Sequence, residues 1–458
     1  MSTGSRQARP AGEQARPAGE QARPAGMLPP GPRWPAAAQT IGFIRFREAF
    51  GHHLERRYGR AHTVRILPGP RTVVVISDTE QIKQVFAGDP ADFHAGEGNV
   101  VLKPVMGDHS VLLTDEAEHK RARSLLMPAF NGAALRGYCG LVETIAKSEV
   151  DRWRDGQRLP THERMNAFTL EVILQVVFGV TDESRLRALR PRVARMVQVS
   201  PRLFLGWVFP RLRRYGVWRR YFDNQRAVDG LIYAEIAERR AASDLAERED
   251  VLSRLLAVGD GDDGAGDEAP LTDPELRDQL VTLLLAGHET TASALSWTLH
   301  ELGANPHVQA EALRAADSGD DTFLEACLKE GMRLHPVIDQ VARRLTREQT
   351  IGPWTLPAGT VVSPSIWMSH LSDDHFDDAH RFRPRRFLDD KIAPNTWIPF
   401  GGGVRRCIGA GFSLMEGTVA LREILSRYRV TIDAQETVMV RNITHVPRHG
   451  APVTLHSR

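Results

Sequence analysis

The stretch "PFGGGVRRCIGAG", residues 399 to 411, sets three glycines and two arginines before Cys407 and two more glycines behind it. Small residues on both sides leave the sulfur uncrowded. Beyond it, Phe412, Met415, Val419, Ile424 and Leu425 recur at helical spacing, so the cysteine stands at the start of an amphipathic helix. There it meets free backbone N–H groups and the positive end of the helix dipole, which favour thiolate. A thiolate is a nucleophile or a metal ligand. A nucleophile wants a histidine base, and no histidine lies between His380 and His445, although the fold can bring one near. A ligand to a flat, bulky cofactor wants glycines that let the backbone pass close to a ring, and an arginine to meet its carboxylates. The stretch holds both. It is not a phosphate loop, because no Gly-Lys-Ser/Thr follows the glycines.

The 458-residue chain is 42% hydrophobic and 25% charged, enough for a large core in one big domain or two ordinary ones. A net charge of +2, from 59 basic and 57 acidic residues, provides no global field for nucleic acid or a membrane surface. Cys139, Cys327 and Cys407 form no CxxC pair and are too few for a disulfide scaffold, which points to a reducing compartment; Cys139 and Cys327 read as small buried residues. The N-terminus reads ARPAGEQ twice, from Ala8 to Gln21, and begins a third copy at Ala22. With only alanine as an apolar residue, the repeat cannot form a helix seam. Residues 1–26 are therefore expected to be a disordered repeat tail and 27–458 a single domain, with Met27 a candidate start. No run of 18 apolar residues and no signal-peptide core occur, so the expected location is cytoplasmic, with no transmembrane anchor.

"VRILPGPRTVVVIS", Val64 to Ser77, reads as two strands around a Pro-Gly-Pro turn. Helical periodicity follows over Glu116–Phe130, Asn166–Phe178, Arg220–Arg240, Pro274–Leu302 and Thr322–Leu334, while Arg343 to Phe400 is rich in Pro, Gly and short apolar runs. The fold class is mainly α with a small β subdomain. Asp260 to Ala269 is an acidic, glycine-rich solvated loop. It is not an EF-hand, because Gly264 and Ala265 stand where an acid or amide and then glycine are needed.

In the long helix, Thr272 and Glu275 form a capping box with Pro274 in the first turn, and Gly303, Asn305 and Pro306 stop it about 30 residues later, roughly 45 Å on. Its middle is "LLLAGHETTASAL", Leu283 to Leu295. Gly287 costs about 1 kcal/mol against alanine, and the Thr290 hydroxyl can bond back to the Ala286 carbonyl, bending the helix and leaving a notch. Two readings stand: a buried helix with one tolerated glycine, or a small-ligand groove lined by Glu289 and Thr290. A zinc-protease HExxH is excluded by Ala292. In "LEACLKEGMRLHP", Glu330 and Arg333 share a helix face; alone they read as a surface ion pair worth under about 1 kcal/mol.

Together these stretches resemble the cytochrome P450 haem-thiolate monooxygenases of the soluble bacterial type. The family's cysteine signature is matched by Phe400, Gly403, Arg405, Cys407 and Gly409, its oxygen-activating motif by Ala286, Gly287, Glu289, Thr290 and Thr291, and its Glu-x-x-Arg motif by Glu330 and Arg333. "LPPGP" and "EHKRARSLLMPAF" resemble its N-terminal segment and a haem-contacting helix, so the likeness runs from Leu28 to the C-terminus. The resemblance implies a triangular helical prism with haem b (iron protoporphyrin IX) between the long distal helix and the Cys-bearing proximal helix. Cys407 would be the axial ligand and Phe400 the shield on the sulfur side, with Ala286, Gly287, Gly401 and Gly409 against the ring. Arg405 would meet one propionate, His119 with Arg123 the other, and Arg343 is a further candidate that its neighbour Arg344 rivals. Glu330 and Arg333 would complete a buried triad with Arg386, in a Pro384-Arg385-Arg386-Phe387 stretch where the family usually has an acid at 385.

The implied reaction inserts one atom of O2 into an organic substrate by hydroxylation or epoxidation, with Glu289 and Thr290 relaying or positioning protons. Electrons would come from a separate ferredoxin or flavodoxin with its NAD(P)H reductase. The resemblance places pocket walls at Val100–Met106, Leu283, Ala286 and Val337–Val341, with Asp339 as a polar contact for a lipophilic substrate. The segment Pro201 to Trp218 mixes aromatics with arginines and reads as two helices over the core, with an entry lid or a membrane-grazing surface as the alternative. Two rivals are a peroxide-using haem-thiolate enzyme, against which the acid-threonine pair argues, and a haem-binding sensor without turnover.

Overall fold

The computed structural model describes residues 28–67, 71–180, 182–197, 209–257 and 269–458. The repeat tail, the Pro-Gly-Pro turn, the acidic loop up to residue 268 and residues 201–208 of the aromatic segment lie outside the described residues.

The axis of the molecule is the helix Asp273–Ala304, 32 residues and so about 48 Å long. Its start forms as its sequence requires: Thr272 N donates to Glu275 Oε2 at 2.8 Å, and Pro274 occupies the first turn. Most of its length is buried, with Leu280, Leu284, Leu295, Trp297 and Leu302 at 1% exposure or less. Helices Thr161–Phe178, Asp321–Leu334 and Ala410–Leu425 pack around it, and Gly132–Val150 backs the last. Thr169 couples two of them by donating to the His288 carbonyl at 2.9 Å.

The predicted strands are Ala61–Ile66 and Arg71–Ile76, antiparallel with Ala61 opposite Ile76. The second pairs in parallel with Val361–Pro364, which pairs antiparallel with Arg343–Leu345, and Phe93–His94 closes this five-stranded sheet. Near the C-terminus, Val438–Arg441 and Thr444–Pro447 form a hairpin, and Pro452–Ser457 lies between Arg158–Pro160 and Tyr428–Thr431.

Glu330 and Arg333 are not the surface pair that their spacing alone suggests. Both are fully buried, with Arg333 Nε donating to Glu330 Oε2 at 2.7 Å and Nη2 to Oε1 at 2.9 Å. Arg386 Nε adds a third bond to Oε1 at 3.1 Å. One carboxylate faces two guanidiniums, and the remaining donors find the carbonyls of His370, Ala379, Arg381, Asp377 and Asp378. The network pins the segment from His370 to Arg386 to the helix Asp321–Leu334. Arg385 points outward and pairs with Glu311, so its charge does not enter the buried triad.

Candidate active site

The cysteine loop turns back on itself where Cys407 N donates to the Phe400 carbonyl at 2.9 Å and Gly401 N to that of Ile398 at 3.0 Å. The glycines before the cysteine serve a neighbour that sequence reasoning missed. A Cβ on Gly402 would stand 2.2 Å from the Phe86 ring, and one on Gly403, at φ +64°, would stand 2.0 Å from the Phe86 carbonyl. These two glycines let the loop lie on the helix Thr79–Ala87 rather than against a ring. Gly409 differs, since a Cβ there would meet no protein atom within 4 Å. Gly401 is intermediate, with φ +64° and Val341 Cγ1 at 3.7 Å.

Cys407 keeps accessible surface, yet burial is the main influence on its thiol, so that surface faces an interior cleft. Its acidity corrects the sequence expectation. The Gly409 N–H and the charges of Arg123 and Arg406 pull the pKa down, but burial outweighs them and holds it above the usual value. The helix end alone does not yield a thiolate here; a cation at the sulfur reverses the balance. Cys327 is fully buried with its thiol pushed up, as a core residue. Phe400 is half-buried, its ring 6.0 Å from that of Trp397 and nearly perpendicular to it.

Beside the cysteine lies a cluster of cations. Burial lowers Arg405 to about 10. Arg343 is likewise lowered to about 10, by burial and then by the charge of Arg405. Arg123 is also lowered by burial, and His119, 5% exposed, falls to about 4 from burial and the two guanidiniums of Arg405 and Arg123. His119 is therefore neutral at pH 7. The carboxylate among them is Asp115, which pairs with Arg405 and also accepts from Gly96 N at 2.9 Å and Glu97 N at 3.1 Å. Three guanidiniums against one carboxylate leave two positive charges in a poorly solvated place. A group with two carboxylates relieves that excess, so the donor set fits haem, and the open space at Gly409 fits its ring. Strand alternation decides between the neighbouring arginines: Arg343 is buried toward the cluster, while Arg344 points outward to Glu97.

On the long helix, Leu283, Ala286, Gly287 and Thr290 keep accessible surface while Leu284, His288, Glu289 and Thr291 are buried. The spacing i, i+3, i+4, i+7 makes one open face. Thr290 Oγ1 donates to the Ala286 carbonyl at 2.7 Å, as the sequence predicts. Gly287 does not open a groove, because a Cβ there would stand 2.6 Å from Ile173 Cδ1; the glycine admits the helix Thr161–Phe178. Glu289 turns away from Thr290. Its Oε1 is 3.4 Å from Arg441 Nη1 and its Oε2 accepts from Thr444 Oγ1 at 3.4 Å, both on the C-terminal hairpin. Burial raises its pKa, opposed by Arg441. Nothing local in the sequence marks Arg441 or Thr444 as its partners, whereas Asp115 carries a weak signal as the residue preceding the His119 helix. Asp339, expected as a polar contact for substrate, lines a cleft with Phe50, Leu54, Trp367 and His445, whose Nε2 is 3.8 Å away.

The family model for Cytochrome P450 matches residues 29–452. The chain belongs to the cytochrome P450 family. It is 52% identical over 431 residues, 93% of this chain and 95% of the relative, to "Putative cytochrome P450 135A1" of Mycobacterium tuberculosis. It is 40% identical over 438 residues, 94% of this chain and 92% of the other, to "Putative cytochrome P450 135B1" of Mycobacterium bovis. A solved structure, "Retinoic acid bound cyanobacterial CYP120A1", superposes with a TM-score of 0.82 at 23% identity over 95% of this chain and all of that one, which shows the shared fold. This P450 is thus an oxidoreductase, a haem monooxygenase with a haem-thiolate cofactor. No helix among its described residues is long and apolar enough to cross a membrane.

Proposed function

We propose that Cys407 is the axial ligand of haem b in this chain and that the enzyme inserts one oxygen atom from O2 into a lipophilic organic substrate, by hydroxylation or epoxidation. The observation that carries the reading is the buried arginine cluster beside an inward-facing cysteine. Haem held there supplies the oxygen-activating chemistry. Arg123, Arg343 and Arg405 would meet its two carboxylates, with neutral His119 as a hydrogen-bond partner and Phe400 beside the cysteine loop. Ala286, Gly401 and Gly409 keep the walls low, while Gly287 acts indirectly by seating Ile173.

Thr290 spends its proton on the Ala286 carbonyl, so its oxygen offers lone pairs to the cleft. It orients a water there to donate toward the reacting centre. Burial favours the protonated form of Glu289 against the charge of Arg441, so this carboxyl is the group that exchanges a proton on the hairpin side, where Arg441 is 37% exposed and reaches solvent. Two protons and two electrons complete the reaction; the electrons come from a separate ferredoxin or flavodoxin with an NAD(P)H reductase, and exposed Arg406 offers an acidic carrier a contact. Apolar Leu283, Val337 and Val341 support a lipophilic substrate.

The test is a reduced, carbon-monoxide difference spectrum of the wild type and Cys407→His, with a library of lipophilic ligands read in the Soret band. The wild type should show the thiolate-type spectrum and the variant should lose it together with turnover. Retention of both in the variant overturns the assignment.

A further inference from the structure

We propose that His370 is a positioning residue for the axial cysteine: its imidazole accepts the Ile398 N–H and so fixes the chain entering the cysteine loop, and with it the place of the Cys407 sulfur. The inference rests on the reading of Cys407 as axial ligand. His370 ends the short helix Ile366–His370 and is 0% exposed. Its Nε2 lies 2.8 Å from Ile398 N. A backbone amide only donates, so this ring nitrogen carries no proton and the proton sits on Nδ1, which faces the carbonyls of Met332 and Arg333. Burial, then the charge of Arg333, lowers the imidazole to about 3, so the accepting form persists at neutral pH.

One residue thus joins the buried ion network to the cysteine. The His370 carbonyl accepts from Arg333 Nη1 at 2.8 Å, while its ring holds Ile398. From there the bonds run on toward the sulfur: the Ile398 carbonyl accepts from Gly401 N at 3.0 Å, and the Phe400 carbonyl from Cys407 N at 2.9 Å. Pro399 has no N–H to give, and Gly401 to Gly403 have no side chains with which to hold themselves. Ser369 Oγ donates to the Thr396 carbonyl at 3.2 Å and Trp397 Nε1 to that of Lys329 at 3.3 Å, both before Ile398. Among the described residues, the His370 bond is therefore the last from a side chain to the backbone ahead of Cys407.

The experiment compares His370→Gln, whose amide oxygen reaches the place of Nε2, with His370→Leu, which fills the space and strands the Ile398 N–H. In haem-loaded protein the ratio of non-thiolate to thiolate-type carbon-monoxide spectrum should rise at least about tenfold in His370→Leu, as a stranded buried donor gives. It should stay near the wild-type value in His370→Gln. Amide hydrogen exchange across Thr396 to Cys407 should quicken in His370→Leu alone. Leu252→Ala, a truncation at a fully buried site in the helix Val251–Ala257, controls for lost stability and should leave the ratio unchanged. If His370→Leu does not fold, His370→Asn replaces it, because its amide stops at the Nδ1 position. The proposal is overturned if the acceptor-free variant keeps the wild-type ratio and exchange, if His370→Gln loses the thiolate form as fully, or if Leu252→Ala does so too. A wild type without the thiolate-type spectrum would overturn the Cys407 reading and this proposal together.

Discussion

Thr291 Oγ1 lies 3.1 Å from Ser413 Oγ, a direct polar tie between the long helix and the helix that follows Cys407. One turn further along the second helix, Glu416 is 1% exposed, and neither of its oxygens makes a hydrogen bond of good geometry among the described residues. Burial raises its pKa well above 4.5, with Thr291 opposing weakly. The native protein therefore keeps this proton to higher pH than the unfolded chain does, and its contribution to stability is full below 4.5 and lost as pH rises toward the native value.

Glu416→Gln should flatten that dependence. In thermal melts from about pH 5 to about pH 8, the wild type should lose up to about 1.4 kcal/mol per pH unit through this one group, and the variant should not. Parallel curves for the two proteins would show that Glu416 is ionised in the fold.

Thr290→Val removes the hydroxyl at nearly constant volume. Haem binding and the carbon-monoxide spectrum should survive, while reducing equivalents should emerge increasingly as hydrogen peroxide and product per electron should fall. Loss of the lone pairs that orient the donating water costs about 100-fold to 10,000-fold in the step that water serves. NADH consumed, peroxide released and product formed, measured with one redox pair, decide the matter; unchanged coupling would reduce Thr290 to a packing residue.

Arg333→Ala should yield mostly misfolded or haem-free protein, since removing one partner of a buried pair costs about 3 to 5 kcal/mol. Arg385→Ala, which breaks only the exposed pair with Glu311, should cost less than about 1 kcal/mol. Equal haem loading in the two variants would contradict the buried network.

Arg441→Gln should raise the Glu289 pKa further, because burial would then act with less opposition. The alkaline limb of the pH profile for product per electron should move to higher pH, with the carbon-monoxide spectrum unchanged. A profile that stays in place would detach the hairpin from proton supply.

What was legible in the sequence was local. The capping box, the Thr290 back-bond and the helix after Cys407 depend on neighbours within a few residues, and each is where its spacing puts it. What was not legible came from far along the chain. Phe86 explains Gly402 and Gly403, Ile173 explains Gly287, and Arg441 with Thr444 turns Glu289 aside. A glycine shows only that a side chain is unwelcome; the fold determines which atom displaces it. The surface reading of Glu330 and Arg333 failed for the same reason, because the carbonyls that bury them come from residues 370 to 381.

The hairpin that meets Glu289 leaves the ribosome after the long helix and the cysteine loop. A nascent chain that has emerged only as far as Tyr428–Thr431 already contains the cysteine loop, the arginine cluster and the whole long helix, but neither Arg441 nor Thr444. Synthesis order therefore puts the cysteine and arginine side chains outside the ribosome before the partners of Glu289. A chain cut ahead of the hairpin would keep every member of the cysteine and arginine set and leave Glu289 without Arg441 and Thr444.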